Sequence, residues 1–147
     1  MPTTQNTLTQ TPADVPVRLA ARLIDALILG AVDGALGKLI GFGFGWLAIS
    51  AGIVLLYFVL MDACCGATIG KFALGLRVTS PSGGRPTLRE ALAREAFTVL
   101  GAVPFIGPLL ALGAWVWIVV TARSSPLRQG KHDILAGGTR VVCRTTG

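Results

Sequence analysis

Hydrophobic residues gather in three long blocks along this chain. Residues 19–36 are mostly apolar but include Arg22, Asp25 and Asp33. Residues 39–61 carry no charge across 23 positions, and residues 96–122 carry none across 27. Crossing the hydrocarbon core of a bilayer takes about 20 residues, so the pattern predicts an integral membrane protein. The first 17 residues, MPTTQNTLTQTPADVPV, hold no Lys or Arg and no apolar core. They lack the parts of a cleavable secretory signal. Residues 1–16 read as a disordered polar tail, and residues 17–144 as the transmembrane domain.

The first two blocks predict two full spans joined by a turn near Gly37 and Lys38. The third block is about 40 Å long as one helix, against a core of about 30 Å. Its first half contains PFIGP, residues 104–108, where each proline removes a backbone donor and crowds the preceding turn. The block is either one kinked span or a tight helical hairpin. Charge placement separates these readings. Of the 13 Lys and Arg residues, a hairpin puts all but Lys38 on one side, whereas a single span divides them almost evenly. The positive-inside rule favours the hairpin, with both termini in the cytoplasm of a cell whose inner membrane holds the protein. The expected fold class is therefore an all-α membrane protein. It is a small transmembrane helical bundle of two full spans plus a Pro-broken hairpin, with a minor cytoplasmic β element.

Local signals fill in the connections. Thr87-Leu-Arg-Glu90 is a capping box that starts a helix before the third block, where Arg89, Glu90, Arg94 and Glu95 would meet headgroups. Trp115 and Trp117 fit an aromatic belt on the return. Residues 76–80, then Pro-Ser-Gly-Gly, predict a strand and turn, and the β-branched GTRVVCR at 138–144 could add a second strand. The small residues from Gly41 to Gly52 predict close helix packing, within the bundle rather than on a dedicated dimer face.

Overall composition agrees with a membrane protein. Charged residues make up 14% of the chain, against roughly 25% in soluble domains, and the mean hydropathy is +0.69. Cys64 and Cys65 are adjacent and Cys143 stands alone, which is neither a disulfide framework nor metal-ligand spacing. GATIGK at 66–71 fails as a phosphate loop: its glycines are four apart, and Phe72 stands where a hydroxyl should hold magnesium. A flexible turn is the better reading. His132, the only histidine, lacks partners for metal or triad chemistry. The basic residues suit anionic lipid and need no nucleic acid. Nothing in the sequence points to an enzyme, a cofactor or a metal.

The unusual feature is the charge inside the first apolar block, in RLAARLID at 18–25. On a helix Arg18 and Asp25 share a face, and Arg22 bridges the gap between them. An unpaired Asp25 at that depth would cost several kcal/mol, so Arg22, Arg18 or a charge from elsewhere should pair with it. Such a group either tolerates insertion or forms a polar site facing the bundle interior. Asp33 lies deeper and could pair with Lys38 at the far headgroups. Asp62 reads as an interfacial acid at the end of the second span.

These residues resemble a known family. RLAARLID, YFVLMD with GATIGKFALGLRV, and RQGKHDILAGGTRVV are similar to the RDD family of small bacterial membrane proteins, over residues 17–142. The family is named for one arginine and two aspartates. The resemblance implies Arg18 and Asp25 for the first two and Asp133 for the third, with Asp62 competing for that place. If Asp133 belongs with Arg18 and Asp25, the tail must return to the start of helix one. That implies an Arg18–Asp133 contact with Arg22 and Asp25 just inside it, which only the hairpin permits.

Two functions follow as expectations. One is a transport-related protein, such as a cation/proton exchanger or a subunit of one, with Arg18, Arg22, Asp25 and Asp133 as its polar site and Asp33 and Asp62 as secondary positions. A monovalent cation or proton would be its ligand. Its few helices would need a homo-oligomer or partner membrane protein to seal a path. The other is a non-transporting scaffold that binds a membrane protein or anionic lipid.

Overall fold

A computed structural model describes residues 11–102 and 105–144. Helix α1 runs from Val15 to Ile40 with Pro16 in its first turn, where the missing N–H costs nothing. The helix continues through the expected turn at Gly37 and Lys38 and ends one step before Gly41. Helix α2, Phe44–Leu60, therefore starts later than its apolar block, and passes into a π-helical turn at Met61–Cys65. Such wide turns inside helices often mark functional positions. Gly66, left-handed at φ 70°, ends it. A short helix α3, Ile69–Ala73, follows, then strand β1, Leu76–Thr79.

Helix α4, Leu88–Glu95, carries the expected capping box: Glu90 N donates to Thr87 Oγ1, and Thr87 N donates to Glu90 Oε2. A 3₁₀ stretch, Ala96–Ala102, extends it. Helix α5, Gly107–Ser124, has Pro108 in its first turn. Helix α6, Lys131–Leu135, and strand β2, Arg140–Cys143, complete the chain.

The third apolar block folds back on itself. The Phe97 and Trp115 rings meet at 5.8 Å, and a Cβ on Gly101 would lie 3.7 Å from that of Ala111. Both pairs run in opposite chain directions. Gly107 comes so close to the Gly101 carbonyl that no side chain fits there. Pro104, half of the predicted break, lies outside the described residues.

Strands β1 and β2 pair antiparallel, Leu76 with Cys143 and Thr79 with Arg140. Residues 11–13 lie along the other edge of β2: Ala13 N donates to Val141 O and Cys143 N to Thr11 O. The expected disordered tail is thus corrected at its end. Residues 11–14 are held by the sheet and by the start of α1, while residues 1–10 lie outside the described residues. Ala13, Ala21, Leu76, Val78 and Val141 form the apolar core where the sheet meets α1.

Among the described residues, two helices are long and apolar enough to cross a membrane, Phe44–Cys65 and Gly107–Ser124. Large apolar side chains such as Leu23, Leu27, Leu56 and Leu112 face outward. The glycines at 30, 34, 41, 43, 45 and 52 also face open space. Among these, the glycines from Gly41 to Gly52 therefore lack the close packing within the bundle expected of them.

Candidate functional site

The charged residues converge at the sheet end of the bundle. Arg18 and Arg22, four apart on α1, face α4 and α6. Arg18 Nη2 lies 2.8 Å from Asp133 Oδ2, and Arg18 also donates to the Arg128 carbonyl. The expected Arg18–Asp133 contact is present because α5 brings the tail back. Gly130 N also donates to Asp133 Oδ2, at 3.1 Å.

The rest of the expected arrangement is corrected. Arg22 does not pair with Asp25. It donates to both oxygens of Glu95 at 2.5 Å, and its guanidinium lies over the Phe58 ring at 4.0 Å and near the Trp115 ring at 5.7 Å. Asp25, fully buried, faces α3 and α2. Its Oδ1 accepts from Tyr57 Oη and Gly70 N, each at 2.8 Å, and its Oδ2 accepts from Thr68 Oγ1 at 2.6 Å. All three partners are neutral donors, so the carboxylate acts purely as an acceptor.

GATIGK builds this seat. Thr68 caps α3 by accepting from Lys71 N. Gly70 sits against α1: a Cβ there would overlap the Ala21 carbonyl and lie 3.0 Å from Asp25 Cγ. The stretch expected to be a flexible turn is a buried knuckle. Lys71 reaches inward, with Nζ 2.6 and 2.9 Å from the two oxygens of Asp62. Asp62, placed by the π-helical turn, is fully buried rather than interfacial.

Arg94 and Glu95, expected among the headgroups, are 2% and 0% exposed. Arg94 lies at the hub. Its Nε is 3.8 Å from Asp62 and 3.5 Å from Glu95, and its Nη1 is 3.4 Å from Asp133. Those contacts are ionic without hydrogen-bond alignment, and both atoms lack a hydrogen-bond partner. Four cations and three carboxylates thus interlock α1, the end of α2, α3, α4 and α6. Desolvating so many charges is tolerable only because they are paired.

Burial pushes the Lys71 ammonium down to about 8, against the pull of Asp62. Burial likewise drives His132 to about 3, despite the neighbouring Asp133, so the imidazole is neutral at physiological pH. Burial alone would raise the Asp133 carboxyl, but Arg94 and Arg18 outweigh it and hold it well below the usual carboxylate range.

Asp33 stands apart. It lies eleven residues beyond Arg22, about 16 Å along the helix, and its carbonyl accepts from Trp46 Nε1 at 3.2 Å. The expected Asp33–Lys38 pair is not among the ion pairs of the described residues. Trp115 is turned into the bundle by Phe97 and Arg22 instead of joining an outer belt.

Two cavities flank Arg22. One of about 40 Å³ lies at the charged end and is lined by Arg18, Lys71, Arg94 and His132. The other, about 320 Å³, runs along α1 past Gly30 to Asp33, between Val54, Phe58, Thr98 and Ala111. Arg22 and Trp115 line both.

The RDD family model matches residues 12–137 of the chain. The chain belongs to that family and is a small membrane protein. No curated protein and no solved structure matches it.

Proposed function

We propose that this RDD family protein is transport-related and that the Arg22–Glu95 pair is the gate in its path. The observation that carries this reading is the position of Arg22. The residue lines both a small cavity at the charged end and a larger one reaching Asp33. A guanidinium held by a carboxylate and wedged against Phe58 closes one cavity from the other. The chemistry proposed is exchange of a monovalent cation for protons, with Asp33, which lines the larger cavity, as the acid in the path. Asp25 lines neither cavity and holds α3 against α1. The charged end faces the cytoplasm, where the positive-inside rule puts it. A second copy or a partner membrane protein seals the open faces of α1 and α2.

Liposomes containing only this protein test the reading. A sodium or potassium gradient should drive proton flux. Asp33→Asn should abolish the flux while the protein still inserts and stays monodisperse. Glu95→Gln should release Arg22 and give a proton leak that no longer depends on the cation. Flux no greater than that of empty liposomes, from folded protein, would refute it.

A second reading, a non-transporting scaffold, is favoured by the Arg18–Asp133 and Arg94–Asp133 contacts, which fasten α6 to α1 and α4. On that reading wild type carries no cation-driven proton flux, and Asp33→Asn changes neither flux nor folding.

A further inference from the structure

The cavity of about 40 Å³ has a lopsided lining: the cations Arg18, Arg22, Lys71 and Arg94 contribute to it beside the neutral His132, and no carboxylate does. Asp62, Glu95 and Asp133 meet these cations elsewhere. Within the cluster, Arg22 Nη1 is buried with no hydrogen-bond partner, while Arg94 Nε and Nη1 have only misaligned carboxylates at 3.4–3.8 Å and form no hydrogen bond. Guanidinium nitrogens only donate, and a buried charged donor left without a partner is strongly unfavourable. A hydrogen-bond acceptor in the cavity would satisfy Arg22 Nη1 and meet the cationic side of Arg94, where no carboxylate lines the space.

We propose that this cavity is a binding site for a single halide-sized monovalent anion, held by Arg22 and Arg94 with Arg18 at its mouth. Size limits the choice. A water needs roughly 10–15 Å³ on this measure, so the space holds a few water-sized bodies and excludes a phosphate headgroup. Chemistry narrows it further. The remaining wall is apolar, with Trp115, Ile118 and Val119, which suits a weakly hydrated ion better than an oxyanion that needs several donors. Arg94 is 2% exposed and Lys71 4%, so bulk water cannot screen their charge. Arg18, with a side chain 13% exposed, leaves a point of entry. Occupancy does not require that anything cross the membrane. A bound anion would, however, lower the barrier that this basic lining poses to a cation approaching Arg22.

Trp115 is the reporter. In the full-length protein with Trp46→Phe and Trp117→Phe, it is the only tryptophan. Bromide or iodide, titrated in detergent against gluconate at constant ionic strength, should quench its fluorescence along a saturable curve. Chloride should compete and should raise the unfolding temperature relative to gluconate, as a ligand of the folded state must. Arg22→Lys, which keeps the charge beside Glu95, should weaken halide affinity about tenfold, the effect of one charged hydrogen bond. Arg94→Lys should do the same. Quenching strictly linear in halide, with one unfolding temperature in every salt, would mean that the cavity holds water only, and would overturn the proposal. Saturation by nitrate or formate but not by halides would overturn it as well.

Discussion

Replacing Gly70 with alanine is the most exacting probe of how the Asp25 seat is built. The added Cβ would overlap the Ala21 carbonyl oxygen and lie 2.9 Å from the Ala21 carbonyl carbon. Ordinary carbon contacts are about 3.5–4.0 Å, so α3 must retreat from α1 by about 1 Å. Overpacking of this kind costs about 1–3 kcal/mol. The same movement stretches the Gly70 N–Asp25 bond, now 2.8 Å, beyond hydrogen-bonding range. Losing a bond to a charged acceptor adds about 1.5–3 kcal/mol. The total is about 2.5–6 kcal/mol. Equilibrium unfolding in detergent micelles measures it. Gly113→Ala is the control, because a Cβ at that position on α5 meets open space; it should be neutral or stabilise by up to about 1 kcal/mol. A Gly70→Ala protein within about 1 kcal/mol of wild type would mean that α3 does not rest on α1, and the account of Asp25 would fail with it.

Other outcomes follow from the same cluster. Lys71→Met should destabilise by about 3–5 kcal/mol because Asp62 is left buried beside only a distant Arg94, whereas Asp62→Leu with Lys71→Met should recover most of the loss; unfolding titrations of the three proteins decide. A double-mutant cycle of Arg18→Ala and Asp133→Ala should give a coupling energy of about 1–3 kcal/mol, and coupling near zero would separate the tail from helix one. His132 has a folded-state pKa near 3, below the usual value of about 6.5. Its contribution to stability is complete above pH 6.5 and is lost as the pH falls toward 3, because the unfolded chain takes up the proton first. Stability should therefore decline between pH 6.5 and 4.5, and His132→Gln should flatten that decline.

Much of the architecture is visible in the hydropathy blocks, but the charged site is not. The three apolar runs, the Thr87–Glu90 cap and the two β-branched segments each depend on neighbours in sequence. The return of the tail to Arg18 could be argued from charge distribution and the RDD resemblance together. Arg94 and Glu95 defeat such reasoning because α4 is turned inside out. Leu88 and Leu92 are 60% and 48% exposed, while Arg94 and Glu95 are buried. For a helix in water the opposite assignment is correct; where the surroundings are lipid, charge must turn toward charge. GATIGK was opaque for a related reason. Its small residues allow α3 to approach α1, and that approach becomes visible only once α1 is in place. Asp25 was legible as a buried acid, but its neutral partners come from positions 57, 68 and 70, where hydroxyl and amide donors give no charge signal.

The fold-back of the third apolar block underlies every contact between the tail and helix one, and a disulfide can test it directly. With Cys64, Cys65 and Cys143 changed to serine, cysteines replace Gly101 and Ala111, whose Cβ positions are 3.7 Å apart. Disulfides need a Cβ separation of about 3.5–4.5 Å. Mild oxidation in the membrane should close the bridge within one chain, leaving no thiol for a maleimide-polymer label and no change in monomer size. Were residues 96–122 one continuous span, those two positions would stand about 15 Å apart; both thiols would stay reactive, and the proposed gathering of charge around Arg18, Arg22 and Asp133 would be contradicted.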